Sequence, residues 1–275
     1  MIKRIFTLVI LFAVILPALA DTADIEKAYL DKVGEADVAI GLGRWSEAEE
    51  HLLRAMDICP GSETNVLLMS NLGIVRYNMG RDSLALATLD DAFSLAPRSP
   101  VVLENRARVL QGMGRIDDAF SDYSRALDID STLKTPRFFH GIISLSRGDT
   151  VTARADFERL YRLAPESFDA NFGMGMLLFD TGHPLEAIPY YNRVIELDPQ
   201  AEYYGARALC NLQCERLSEA ADDIAKGLEL DPNDGELYLY RAILNKMRFR
   251  PDDSRDDVRR AVELGVPRER VRLFI

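Results

Sequence analysis

Along most of this chain apolar side chains return at intervals of three and four residues, as at Ala119, Tyr123 and Ala126 or Ala187, Tyr191 and Val194. That spacing keeps one face of an α-helix apolar and leaves the other to polar groups, so it predicts a succession of amphipathic helices. The succession is punctuated regularly. Glycines stand at Gly43, Gly80, Gly114, Gly148 and Gly182, and alanines at Ala48, Ala85, Ala119, Ala153, Ala187 and Ala220, spaced 37, 34, 34, 34 and 33. Prolines follow at Pro60, Pro97, Pro165, Pro199 and Pro232, with Ser131 where one is missing. Each landmark suits a pair of antiparallel helices. Gly ends the first helix by turning the chain through positive φ. Ala marks the closest approach of the two helices, and Pro stops the second.

The N-terminus breaks the pattern. Met1-Ile2-Lys3-Arg4 is positive, Ile5 to Leu16 is apolar apart from Thr7, and Ala18-Leu19-Ala20 follows Pro17. A positive start, a short apolar run and a small-x-small site are the marks of a secretory signal peptide. The sequence therefore predicts a leader over 1–20, a helix break at Pro17 and a mature chain beginning at Asp21. The run is shorter than the roughly 20 residues a membrane anchor needs. The first cysteine is Cys59, so a lipid anchor just after the cleavage site is not expected.

The periodic unit resembles the tetratricopeptide repeat family, through Leu72-Gly73, Tyr77, Gly80, Ala85, Ala92 and Pro97, and again through Met174-Gly175, Gly182, Ala187, Tyr191 and Pro199. The resemblance implies an all-α fold, a right-handed superhelical solenoid of about seven antiparallel helix pairs. In this register the repeats begin near residues 29, 66, 100, 134, 168, 201 and 235, filling 21–265. Glu215 and Phe249 stand where the turn Gly is expected in the last two repeats, and Ser254 replaces the close-packed Ala of the seventh. Residues 266–275 are expected to form a C-terminal cap, with Val271, Leu273, Phe274 and Ile275 covering the open end.

In that family the first helix of each pair lines the concave surface, where peptides bind. The resemblance then implies a partner-binding groove including Tyr77, Arg108, Gln111, Phe138, Ile142, Leu145, Phe172, Met176 and Phe179. Aromatic and Met side chains there suit the apolar anchors of a peptide or helix; packing against neighbouring helices is the competing role. The family's carboxylate clamp requires Lys and Asn on one first helix. Its positions here hold such pairs as Ser70 with Ile74 and Phe138 with Ile142, so binding of acidic chaperone tails is not implied.

Charge refines the picture. The chain of 275 residues carries a net charge of −11, which argues against a general nucleic-acid binder. Residues 21–240 hold 21 bases and 38 acids, whereas 241–275 hold 10 bases and 6 acids. Arg248, Arg250, Arg255, Arg259 and Arg260 make this basic end a candidate docking patch, with a solvated helix face as the alternative. Catalytic chemistry is not indicated. Ser131-Thr132-Leu133-Lys134 has the Ser-x-x-Lys spacing of penicillin-recognising enzymes but falls in an inter-repeat turn. His51, His140 and His183 are isolated. Cys210 and Cys214 lie four apart on one helix, too far for an unstrained disulfide. No cofactor and no metal are expected.

The expectation is a non-enzymatic protein–protein interaction scaffold outside the cytoplasm, periplasmic or secreted and bacterial, in envelope assembly or secretion. The alternative is a glycan- or substrate-binding accessory subunit of an envelope enzyme complex, docking through the Arg-rich end.

Overall fold

A computed structural model describes the backbone of residues 2–272 and the side chains of residues 22–272. The described residues form helices joined by turns and short irregular links, and the chain divides into two compact units, 1–136 and 137–275.

The first unit contains three hairpins. They are α1 (Ile2–Gly41) with α2 (Trp45–Ile58), α3 (Asn65–Asn78) with α4 (Asp82–Leu95), and α5 (Pro100–Gly112) with α6 (Ile116–Ile129). The start of α7 (Lys134–Ser146) closes this unit and the rest of it opens the second. There α7 pairs with α8 (Thr150–Leu163) through Phe138 against Phe157, ring centroids 6.4 Å apart. The hairpins α9 (Phe168–Asp180) with α10 (Pro184–Leu197), α11 (Ala201–Gln213) with α12 (Leu217–Leu230) and α13 (Gly235–Met247) with α14 (Pro251–Glu263) follow, then the short α15 (Arg268–Val271).

The turns explain the punctuation. At Gly80, φ is +72, and the helix closes with Gly80 N donating to Tyr77 O at 2.9 Å and Arg81 N to Arg76 O at 3.0 Å. The other turn glycines share this left-handed conformation, which lacks a Cβ penalty only in Gly. Glu215 and Phe249 adopt it too, both at φ +57. The six close-packed alanines are fully buried. Ser254 keeps the same close approach because its hydroxyl donates to Ala242 O on the facing helix at 2.8 Å.

α1 runs unbroken through Pro17, where the sequence predicts a break. A proline inside a helix removes one N–H and crowds one carbonyl, while the flanking hydrogen bonds persist. Pro189 sits inside α10 in the same way. Among the described residues no helix is long and apolar enough to cross a membrane. At the other end Val266 and Val271 are buried against α13 and α14, and Arg270 pairs with Glu236 of α13. Leu273, Phe274 and Ile275 lie outside the described residues.

Candidate functional site

The first helices of the second unit carry an aromatic surface. Along α9, Phe168, Phe172, Met176 and Phe179 recur at four, four and three residues, which places them on one helical face. Phe168 stacks on Phe172 at 5.5 Å, and Tyr203 of α11 meets both edge-on, at 5.2 and 5.4 Å. All three rings are half-buried. Ile142, Phe172, Met176 and Phe179 rest on the core beneath while keeping part of their surface in solvent. Phe138 and Leu145 differ: at 9% and 7% exposure they are core residues, because their positions on α7 turn them toward α8.

Acids border this surface. Burial pushes the Asp169 carboxyl above the ordinary carboxylate range and does the same to Asp180. Tyr203 is raised by burial and by its acidic neighbours Glu202 and Asp198.

In the first unit Tyr77 and Gln111 of the expected groove are engaged internally. A Cβ on Gly112 would lie 1.7 Å from the Tyr77 hydroxyl, so Tyr77 packs into the space that glycine leaves. Gln111 Oε1 accepts from the Tyr123 hydroxyl at 3.1 Å. Arg108 is exposed beside Glu104, whose carboxyl burial raises against the opposing pull of Arg108.

The arginines of the basic end are spread over a turn and one helix. Arg248 Nη2 donates to Leu217 O at 2.7 Å. Arg255 pairs with Asp252, Arg259 with Asp256 at 2.7 Å, and Arg260 with Glu263 at 3.3 Å, each within α14. Arg250 is exposed next to Phe249, which is 92% exposed.

A recurring buried ion pair escaped the sequence reading. Arg106 Nε and Nη2 clamp Asp122 at 2.7 and 2.8 Å. Arg207 holds Asp223 through contacts of 2.5 to 3.2 Å, with Asn211 donating at 3.0 Å. Arg241 and Asn245 hold Asp257 in the same way. In the fourth repeat Arg137 and His140 Nδ1 share Asp156 at 2.9 and 2.5 Å. The four aspartates are at most 6% exposed. The legible signal was an Arg or His eight residues before the turn and an Asp three residues after the close-packed position, recurring with the repeat. The fifth repeat places Met174 and Tyr190 there instead, and beside them a cleft of about 720 Å³ opens, against about 260 Å³ for the cleft holding Arg207 and Asp223.

The acidic side chains of the turn before α13 serve local structure. Asp234 caps α13 by accepting from Glu236 N at 2.8 Å and Leu237 N at 3.2 Å, and Asp231 Oδ1 accepts from Asn233 N at 2.9 Å. Among the described residues no group of three or more His, Cys, Asp or Glu is placed to hold a metal ion. The three cysteines are thiols, and burial pushes that of Cys210 up to about 12.

The tetratricopeptide repeat family model matches residues 140–202 and 172–235. Sperm-associated antigen 1 of Mus musculus is 30% identical over 149 residues, a match covering 54% of this chain and 16% of that protein, so the chain spans a small part of its curated relative. Among solved structures, pilF of Pseudomonas aeruginosa superposes with a TM-score of 0.71 at 20% identity, over 79% of this chain and 98% of that one. A tetratricopeptide repeat protein of Parabacteroides merdae does so with a TM-score of 0.65 at 22% identity, over 90% and 97%. The matched residues, 140–235, lie in the second unit, and the likeness to the solved structures is one of fold.

Proposed function

We propose that this tetratricopeptide-repeat chain is an exported scaffold that holds a partner peptide or helix on the first-helix face of its second unit. Phe168, Phe172 and Tyr203 are the anchoring platform, extended by Ile142, Met176 and Phe179. The observation that carries the reading is the three-ring cluster, half in solvent and supported from below by the core. Ordered aromatic rings bind apolar anchors at low entropic cost, because two χ angles fix a large contact area. The acids at the border, Asp169, Asp180 and Glu202, favour an apolar segment flanked by Lys or Arg.

Export rests on the leader pattern of residues 1–20, and the compartment proposed is the bacterial periplasm or the exterior, in envelope assembly or secretion. The rival reading, glycan or substrate docking through the Arg-rich end, draws on arginines that α14 already pairs with its own acids.

Two measurements test the proposal. N-terminal sequencing of the exported protein should begin at Asp21, and a terminus at Met1 would refute cleavage. Crosslinking in intact cells should capture a protein partner that Phe172→Ala and Tyr203→Ala lose while their helical melting stays close to wild type. Capture unaffected by both substitutions, or lost only together with the fold, would sink the groove.

A further inference from the structure

The seam between α4 and the hairpin of α5 with α6 shows how this fold seats an arginine. Asp90 and Phe93 of α4 lie five and eight residues after the close-packed Ala85. Arg106 of α5, eight residues before the turn Gly114, donates through Nη1 to Asp90 at 3.1 Å. Its guanidinium lies 3.7 Å from the centroid of the Phe93 ring, and Asp122 of α6 holds its other edge. Leu110 lies alongside, and the cleft that remains is about 220 Å³.

The seam between α8 and the hairpin of α9 with α10 keeps the receiving half of that arrangement and lacks the arginine. Glu158 and Tyr161 of α8 stand five and eight residues after the close-packed Ala153, in the places of Asp90 and Phe93, and Leu178 stands where Leu110 does. Met174 and Tyr190 replace Arg106 and Asp122, and the cleft widens to about 720 Å³. Tyr161 and Tyr190 line it edge to face, 5.5 Å apart, and among the described residues no cation lies over either ring.

The acceptors around this cleft are not saturated. Glu186 has no ionic partner among the described residues, and Glu158 meets Arg154 and Arg162 only at 3.8 Å, beyond hydrogen-bond length. Both acids act on Tyr190, whose phenol is pushed up by burial, by Tyr161 and by these two charges. Asn171, 3% exposed, lines the cleft and directs Nδ2 to Pro165 O and Ser167 O at 2.7 and 2.8 Å, while its Oδ1 meets no donor among the described residues. The Arg193 guanidinium is already held, by Glu166 at 2.9 Å and Glu196 at 3.0 Å.

We infer that this cleft seats an arginine side chain of a partner polypeptide, which supplies in trans the guanidinium that Arg106 supplies within the chain. The planar head lies on the Tyr161 ring, as Arg106 lies on Phe93, and donates to Glu158, Glu186 and Asn171 Oδ1. Its methylene stem packs along Met174 and Leu178. Lysine suits the seat less, because an ammonium neither stacks flat on a ring nor donates as a fork. Met174 and Leu178 lie across α9 from Phe172 and Met176, since two residues turn a helix by about 200°. The seat is therefore separate from the aromatic platform and does not depend on it.

Methionine-methyl NMR of the purified chain tests this, with N-acetyl-arginine N-methylamide as the probe and helical melting as the check on fold. The Met174 and Met176 signals are assigned by their loss in the two Met→Leu variants. The probe should shift the Met174 methyl saturably and leave Met176 unmoved, and the corresponding lysine derivative should bind about tenfold more weakly. Glu158→Gln with Glu186→Gln, and separately Tyr161→Leu, should each weaken the arginine probe by about tenfold, whereas Tyr161→Phe keeps the ring and should bind as wild type does. Guanidinium ion alone should bind more weakly, because it has no stem for Met174 and Leu178 to hold. A Met174 signal that does not shift, or shifts without saturating, overturns the inference. Equal binding of the lysine derivative or of guanidinium overturns it too, and so does binding that survives either weakening variant in folded form.

Discussion

The Phe157 ring fills the space that Gly173 leaves open: a Cβ at Gly173 would fall 2.3 Å from Phe157 Cδ1. Phe157 is fully buried and also meets Gly141, where a Cβ would lie 2.7 Å from Cε1. Gly173→Ala should therefore lower stability by about 1–3 kcal/mol through overpacking, in spite of the better helix propensity of alanine. Denaturant unfolding measures the loss. In a Phe157→Leu background the same substitution should cost less, and an equal cost in both backgrounds would show that the ring is not the obstacle.

Asp223, 5% exposed, is gripped by Arg207 and Asn211. Replacing it with Ala takes the acceptor from a guanidinium that is only 23% exposed, so Asp223→Ala should cost about 2–3 kcal/mol. The exposed pair of Arg259 with Asp256 has the same chemistry in a different setting. Asp256→Ala should change stability by no more than about 0.5 kcal/mol. Chemical denaturation of both variants checks the contrast, and equal losses would contradict the role assigned to burial.

This contrast shows what could be read in the sequence and what could not. The turn positions were legible because only a few residues accept positive φ, and the spacing still pointed to Glu215 and Phe249 where Gly was absent. The close-packed alanines were legible from their size and period. The buried Arg–Asp pairs were not, because Arg and Asp on a helix read as a solvated face and only packing shows that Asp122 or Asp223 is enclosed. Phe138 and Phe172 occupy the same place in successive repeats, yet one is core and the other stacks with Phe168 and Tyr203. Neighbouring side chains decide that difference, and periodicity carries no information about them.

Asp169 gives the second unit a pH dependence of definite sign. Burial raises its carboxyl above the ordinary range, so the folded chain holds this proton to higher pH than the unfolded chain. Where the folded state binds more protons, stability falls as pH rises. The contribution of Asp169 is thus most favourable below its unfolded value and declines as pH rises through its folded one. Asp169→Asn should be more stable than wild type at neutral pH, with the advantage disappearing below about pH 4. Urea titrations at neutral and acidic pH make the comparison. A less stable variant at neutral pH would mean that the carboxylate's attraction to the N-terminus of α9 outweighs its burial.

Phe249 carries a backbone cost with no packing return. Its φ of +57 is the left-handed conformation that glycine supplies in the earlier turns, and its side chain is 92% exposed. An L side chain in that region is strained by roughly 1 kcal/mol or more, partly offset in a glycine variant by the greater freedom of its unfolded chain. Phe249→Gly should therefore stabilise the protein by up to about 1 kcal/mol, and Glu215→Gly should act in the same direction. A rise in melting temperature for both supports the assignment of these residues as turn substitutes. If Phe249→Gly instead lowers the melting temperature, the exposed ring must contribute contacts that outweigh its strain.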